Sequence, residues 1–204
     1  MIQNVVTSII LYSGTAVDLL IILMLFFAKR KSRKDIINIY LGQFLGSVSL
    51  ILLSLLFAFV LNYIPSKEIL GLLGLIPIFL GLKVLLLGDS DGEAIAKDGL
   101  RKDNKNLIFL VAMITFASCG ADNIGVCVPY FITLNLANLL VALLNFLVMI
   151  YLLVFSAQKL AQVPSVGEIL EKYSRWFIAS VYLGLGIYIL IENNVFDMLW
   201  AVLG

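Results

Sequence analysis

The chain of 204 residues has no histidine, only two cysteines, and charge on just 13% of its positions. Without histidine, a metal ion held here must take carboxylate, thiolate, amide or backbone oxygen ligands. Cys119 and Cys127 fall on one apolar segment, where eight residues of helix separate them by about 12 Å. That is too far for a disulfide bridge between them. It also argues against a thiol–disulfide electron carrier, which needs cysteines that can meet. The scarcity of charge is outside the soluble range, where about 25% is usual. A formal net charge of +1 leaves no electrostatic footprint for nucleic acid. No phosphate-binding glycine loop occurs, and no polar stretch is long enough for an ATPase domain.

What fills the chain instead is apolar: 62% of residues are hydrophobic and the mean hydropathy is +1.07. The opening Met-Ile-Gln-Asn lacks a basic leader, and the first apolar run is too long for a signal peptide. Spanning a bilayer takes about 20 apolar residues. Six segments qualify: Val5–Ala28, Ile36–Tyr63, Ile69–Leu87, Leu107–Phe131, Leu136–Ala157 and the shorter Trp176–Ile191. The expected fold is an all-α integral membrane protein of six transmembrane helices, forming one domain over residues 1–204. Val195–Leu203 reads as a small amphipathic tail.

Basic residues alternate between loops. Lys29, Arg30, Lys31, Arg33 and Lys34 sit in the first loop, Lys97, Arg101, Lys102 and Lys105 in the third, and Lys159, Lys172 and Arg175 in the fifth. The second loop has only Lys67 and the fourth has none. Positive charge stays on the cytoplasmic side, so both termini are expected outside. The acidic run Asp89, Asp91 and Glu93 reads as a solvated part of the third loop.

The two halves resemble each other. Asp18 and Asp122 are 104 residues apart, Gln43-Phe44-Leu45 and Asn145-Phe146-Leu147 are 102 apart, and Phe79-Leu80-Gly81-Leu82 and Tyr182-Leu183-Gly184-Leu185 are 103 apart. Each half has three spans. An odd number inverts the second half relative to the first, as in many secondary transporters. The expected units are residues 1–92 and 106–204.

Asp18 and Asp122 fall in mid-span. A carboxylate at the bilayer centre costs roughly 2.5–3.5 kcal/mol on insertion scales, so it normally faces a cavity or a partner. Interhelical hydrogen bonding is the plainer use; a cation site is the functional one. Cys119, three residues before Asp122, shares its helix face. Asn123 and Cys127 continue an adjoining stripe. Carboxylate, thiolate and amide oxygen together suit a soft or borderline divalent ion. Asp18, Asp122, Cys119 and Asn123 are the expected metal ligands, with Thr15, Ser118, Cys127 and Lys83 secondary. Cys127, over a turn beyond Asp122, reads as a small buried hydrophobe, and Lys83 as a side chain that snorkels. Gly120, Gly125 and Pro129 around Asp122 lead to the expectation that span four departs from regular helix between Cys119 and Pro129. Gly42 and Gly46 form a small-xxx-small pair suited to close helix contact within the protomer first, and in a homodimer second.

At these residues the chain resembles the CadD family of bacterial cadmium-resistance transporters, within the lysine-exporter superfamily. The resemblance rests on Thr15-Ala16-Val17-Asp18-Leu19-Leu20, Tyr40-Leu41-Gly42-Gln43-Phe44-Leu45-Gly46, Gly71-Leu72-Leu73-Gly74-Leu75-Ile76-Pro77, Val128-Pro129-Tyr130-Phe131, Val166-Gly167-Glu168-Ile169 and, most specifically, Ala117-Ser118-Cys119-Gly120-Ala121-Asp122-Asn123-Ile124-Gly125. Many relatives have two adjacent acidic residues in span one, whereas here Val17 precedes Asp18. The resemblance implies a six-helix plasma-membrane exporter of Cd²⁺, with Zn²⁺ as a second ion, and no permanently bound cofactor. An ion gradient, most simply of protons, would drive it, and no catalytic residue is needed. The alternative within the superfamily is an amino-acid exporter.

Overall fold

The computed structural model describes residues 2–29, 32–61, 70–87, 106–193 and 195, and within them there is no strand. The helices are α1 (Ile2–Lys29), α2 (Arg33–Leu61), α3 (Leu75–Leu87, entered through a 3₁₀ turn at Leu72–Gly74), α4 (Leu107–Thr133), α5 (Leu136–Leu160) and α6 (Pro164–Glu192). The acidic cluster, the basic third loop, Tyr63, Ile69 and the tail beyond Val195 lie outside the described residues.

Among the described residues, five helices are long and apolar enough to cross a membrane: α1, α2, α4, α5 and the Tyr173–Glu192 part of α6. The expected third span is shorter, an apolar helix over Leu72–Leu87, or about 24 Å at 1.5 Å per residue. The sixth is longer than its apolar core. It begins at Pro164, whose missing N–H and preset φ suit the first turn. Helix starts are set locally elsewhere too. The Asn106 side chain accepts from the Phe109 N–H, and Asn135 accepts from Asn138 at 2.9 Å, each satisfying a donor that the first turn leaves over.

Large apolar side chains face outward, among them Leu52, Phe59, Leu144 and Leu152. Apolar surface of this extent is stable against lipid and not against water. Inside, Phe26, Phe146, Tyr130 and Tyr182 are fully buried. Phe146 packs its ring 5.6 Å from Tyr12 and 5.8 Å from Phe131.

The most extensive helix pairings join the two halves of the chain: α2 with α4, α3 with α6, and α1 with α5. Glycine lets the first pair approach. A Cβ on Gly42 would lie 2.6 Å from the Ile108 carbonyl oxygen, and one on Gly46 would lie 2.9 Å from Thr115 Cβ. The small-xxx-small pair is therefore used inside the protomer, as expected.

Polar bonds cross the same seams. Thr115 Oγ1 donates across the seam to Gln43 Oε1 at 2.6 Å, and within α2 Gln43 Nε2 donates to Ser47 Oγ at 2.8 Å, all buried. Between α5 and α1, Asn145 Nδ2 donates to Ser8 Oγ at 3.0 Å. Gln43→Leu removes two of these bonds. Interhelical bonds in membranes average about 0.6 kcal/mol and reach about 1.7, so a stability loss of about 1–2 kcal/mol is expected. Thermal unfolding in detergent measures it, and an unchanged midpoint would mean that Thr115 and Ser47 find other partners without cost.

Candidate functional site

A cavity of about 10 Å³ lies where α1, α2, α4 and α5 meet. That is room for about one water-sized group. Its lining divides by helix. α1 contributes Tyr12, Thr15, Ala16 and Leu19; α2 contributes Ser47, Leu50, Ile51 and Ser54; α4 contributes Asn123 and Cys127; α5 contributes Phe146.

The polar lining is mostly committed to its own helices on the donor side. Thr15 Oγ1 donates to the Tyr12 carbonyl at 3.1 Å, Ser54 Oγ to Leu50 at 2.8 Å, and Asn123 Nδ2 to Cys119 at 2.8 Å. Each bond uses a hydrogen and leaves oxygen lone pairs, so Thr15, Ser54 and Asn123 present acceptors. Ser47 accepts from Gln43 and keeps its own hydrogen. The Tyr12 hydroxyl is buried beside Ser47 and, among the described residues, is the single buried side-chain polar atom without a hydrogen bond of normal length and angle. Leaving such a group unmade costs roughly 1–3 kcal/mol, which an occupant of the cavity would recover.

The expected site residues do not all fall on this cavity. Asn123, Thr15 and Cys127 line it; Asp18, Asp122, Cys119 and Ser118 are not in its lining. Asp18 and Asp122 are half-buried. Asp18 lies one turn after Gly14, whose Cβ would strike Val181 of α6, so it is on the side of α1 nearer α6. Asp122 is about 60° round α4 from Gly125, and a Cβ there would meet Leu80 and Ile76 of α3. Cys119 is buried, with its Sγ 3.4 Å from Ser118 Oγ, which also donates to the Ile114 carbonyl. Lys83 is exposed near the end of α3, as snorkelling requires. Among the described residues, no three His, Cys, Asp or Glu side chains come together as a metal-holding group. An ion in this bundle would need amide, hydroxyl or backbone oxygen among its ligands.

One sequence expectation changes here. The helix of span four is continuous from Leu107 to Thr133, with Pro129 inside it. Unwinding would strand several backbone groups at a cost of several kcal/mol each in lipid, whereas each glycine costs only about 1 kcal/mol in a helix. Gly125 serves packing against α3 instead. Cys127 is buried in the apolar core and also lines the cavity.

Tyr12, Ser47 and Ser54 escaped the sequence reading as site residues. Ser47 and Ser54 are single hydroxyls in a long apolar run, without a motif around them. Nothing in the sequence marks Tyr12, an ordinary tyrosine in an apolar run.

Membrane-length helices with lipid-facing apolar surfaces and a small polar interior define a multi-pass helical membrane protein. Residues 12–202 match the model of the cadmium resistance transporter family. The chain belongs to that family, which implies cadmium-resistance transport of a metal ion across the bilayer. No curated protein and no solved structure matches the chain.

Proposed function

We propose that the protein exports Cd²⁺ from the cytoplasm across the bacterial plasma membrane in exchange for protons, with Zn²⁺ as a second ion. Membership of the cadmium resistance transporter family over residues 12–202 is the observation that carries this reading. Asp18 and Asp122 act as the charged groups of the pathway. Deprotonated, they attract the ion; after its release outside they take up protons and return. Ligands that must lose protons to bind metal couple the two flows in the right direction. Asn123 and Thr15, which line the cavity between α4 and α1, assist.

The halves 1–92 and 106–204 act as inverted repeats that rock against each other, with both termini outside. The packing supports this. Exchanging the halves turns the α2–α4 pair into α5–α1 and the α3–α6 pair into itself, and all three are the extensive contacts. The two cross-seam amide bonds follow the same exchange. Gln43 meets Thr115 on the first helix of the second half, and Asn145, its repeat counterpart, meets Ser8 on the first helix of the first half.

The amino-acid alternative fits less well. The family matched over residues 12–202 is one of cadmium resistance transporters, which favours a metal ion over an amino acid.

Inside-out vesicles carrying the protein should take up labelled Cd²⁺, faster with an acidic lumen, and lumen pH should rise as Cd²⁺ enters. Uptake no greater than in empty vesicles would refute export. Uptake indifferent to the pH gradient would remove the proton from the mechanism and keep the metal.

A further inference from the structure

Resting on the Cd²⁺ reading above, we propose that the sulfur ligand of the transported ion is Cys127, not Cys119, and that Cys127 Sγ with the oxygens of Tyr12, Thr15 and Asn123 forms the site where the ion is held dehydrated.

Three independent observations converge on this cavity. Cys127 is buried, with 4% of its surface exposed, and lines the cavity, whereas Cys119 is not in the lining. The Tyr12 hydroxyl, in a side chain only 6% exposed, belongs to the same lining and, though beside Ser47, makes no hydrogen bond of normal length and angle among the described residues. Thr15, Ser54 and Asn123 have committed hydrogens to backbone carbonyls of their own helices. That leaves oxygen lone pairs on Thr15, Ser54 and Asn123 as ligands for a cation, beside the hydroxyls of Ser47 and Tyr12.

The size is selective as well. About 10 Å³ excludes a hydrated divalent ion, so entry requires that water be stripped. Soft ions exchange water for thiolate readily, and hard ions such as Mg²⁺ keep theirs. One sulfur among neutral oxygens therefore discriminates by chemistry, and the cavity enforces the exchange. As the Cd–S bond forms, the S–H bond of Cys127 breaks, its electron pair stays on sulfur, and the proton passes to water. Asp122, one residue before Asn123 on α4, adds negative charge nearby without lining the space.

The test uses the full-length purified protein in lipid nanodiscs with CdCl₂ as probe. The readouts are the ultraviolet sulfur-to-cadmium charge-transfer band and the dissociation constant. Wild type should show the band. Cys127→Ser and Cys127→Ala should both lose it. Each should bind Cd²⁺ at least about tenfold more weakly, the lower bound seen even for loss of an outer-shell partner. Cys119→Ser should keep the band and the affinity. Tyr12→Phe should keep the band and bind several-fold more weakly; affinity equal to wild type would remove the hydroxyl from the site and leave water as its occupant. Circular dichroism and a single elution peak establish that each variant is folded. A band lost in Cys119→Ser and kept in both Cys127 variants overturns the proposal while leaving Cd²⁺ transport standing. A band absent from a wild type that binds Cd²⁺ overturns it equally, since oxygens alone would then hold the ion. Wild type that neither binds nor transports Cd²⁺ removes the functional reading itself.

Discussion

Asp122→Asn should abolish cadmium resistance while the protein remains in the membrane at normal abundance. Asn keeps the size of Asp and one carbonyl oxygen, so packing around half-buried Asp122 between α4 and α3 changes little. It removes the charge that draws a divalent ion inward and the proton-carrying group that would exchange with it. Inserting a charge at mid-span costs roughly 2.5–3.5 kcal/mol, so the substitution should not make insertion harder. A loss of function is then chemical and not a folding defect. The comparison is growth in graded Cd²⁺ of cells expressing equal amounts of each protein, checked by immunoblot of washed membranes. Resistance equal to wild type would take Asp122 out of the mechanism.

Gly42→Leu should act in the opposite way, by preventing assembly. Its first added atom would lie 2.6 Å from the Ile108 carbonyl oxygen and 2.8 Å from Val111 Cβ. A carbonyl held in a helix ladder cannot step aside as a flexible side chain can. Helix α2 must therefore move from α4, and with it go the Gly42 and Gly46 contacts and the Thr115–Gln43 bond. Overpacking costs about 1–3 kcal/mol where neighbours relax; here it falls on backbone at one of the most extensive helix pairs, so the loss should sit at or above that range. Little monodisperse protein should be recovered in detergent. Gly184→Ala is the matching control. Nothing lies within 4 Å of a Cβ there, and alanine is the better helix former by about 1 kcal/mol, so yield and unfolding temperature should hold or rise. Equal recovery of Gly42→Leu and wild type would mean that the α2–α4 seam is looser than this packing implies.

The apolar runs alone determined that this chain lies in a membrane, roughly where its helices run, and that two carboxylates enter its interior, because burial in lipid demands about 20 apolar residues per span and makes each charge conspicuous. The Gly42 and Gly46 contact was legible for a similar reason: a gap in side-chain volume on one helix face has few uses. Membership of the family was legible in the segment around Asp122. What only the tertiary structure decided is which face of each helix turns to which neighbour. In water a helix declares its inner face by its apolar stripe, but a helix such as α2 is apolar all round, and lipid removes the contrast that would orient it. So the sequence could put Cys119, Asn123 and Cys127 on one stripe but could not say which of them meets α1. Packing brought Cys127 and Asn123, rather than Cys119, to Tyr12 and Thr15. The same packing kept α4 continuous through Gly120, Gly125 and Pro129, because a helix satisfies backbone groups that the surrounding lipid cannot.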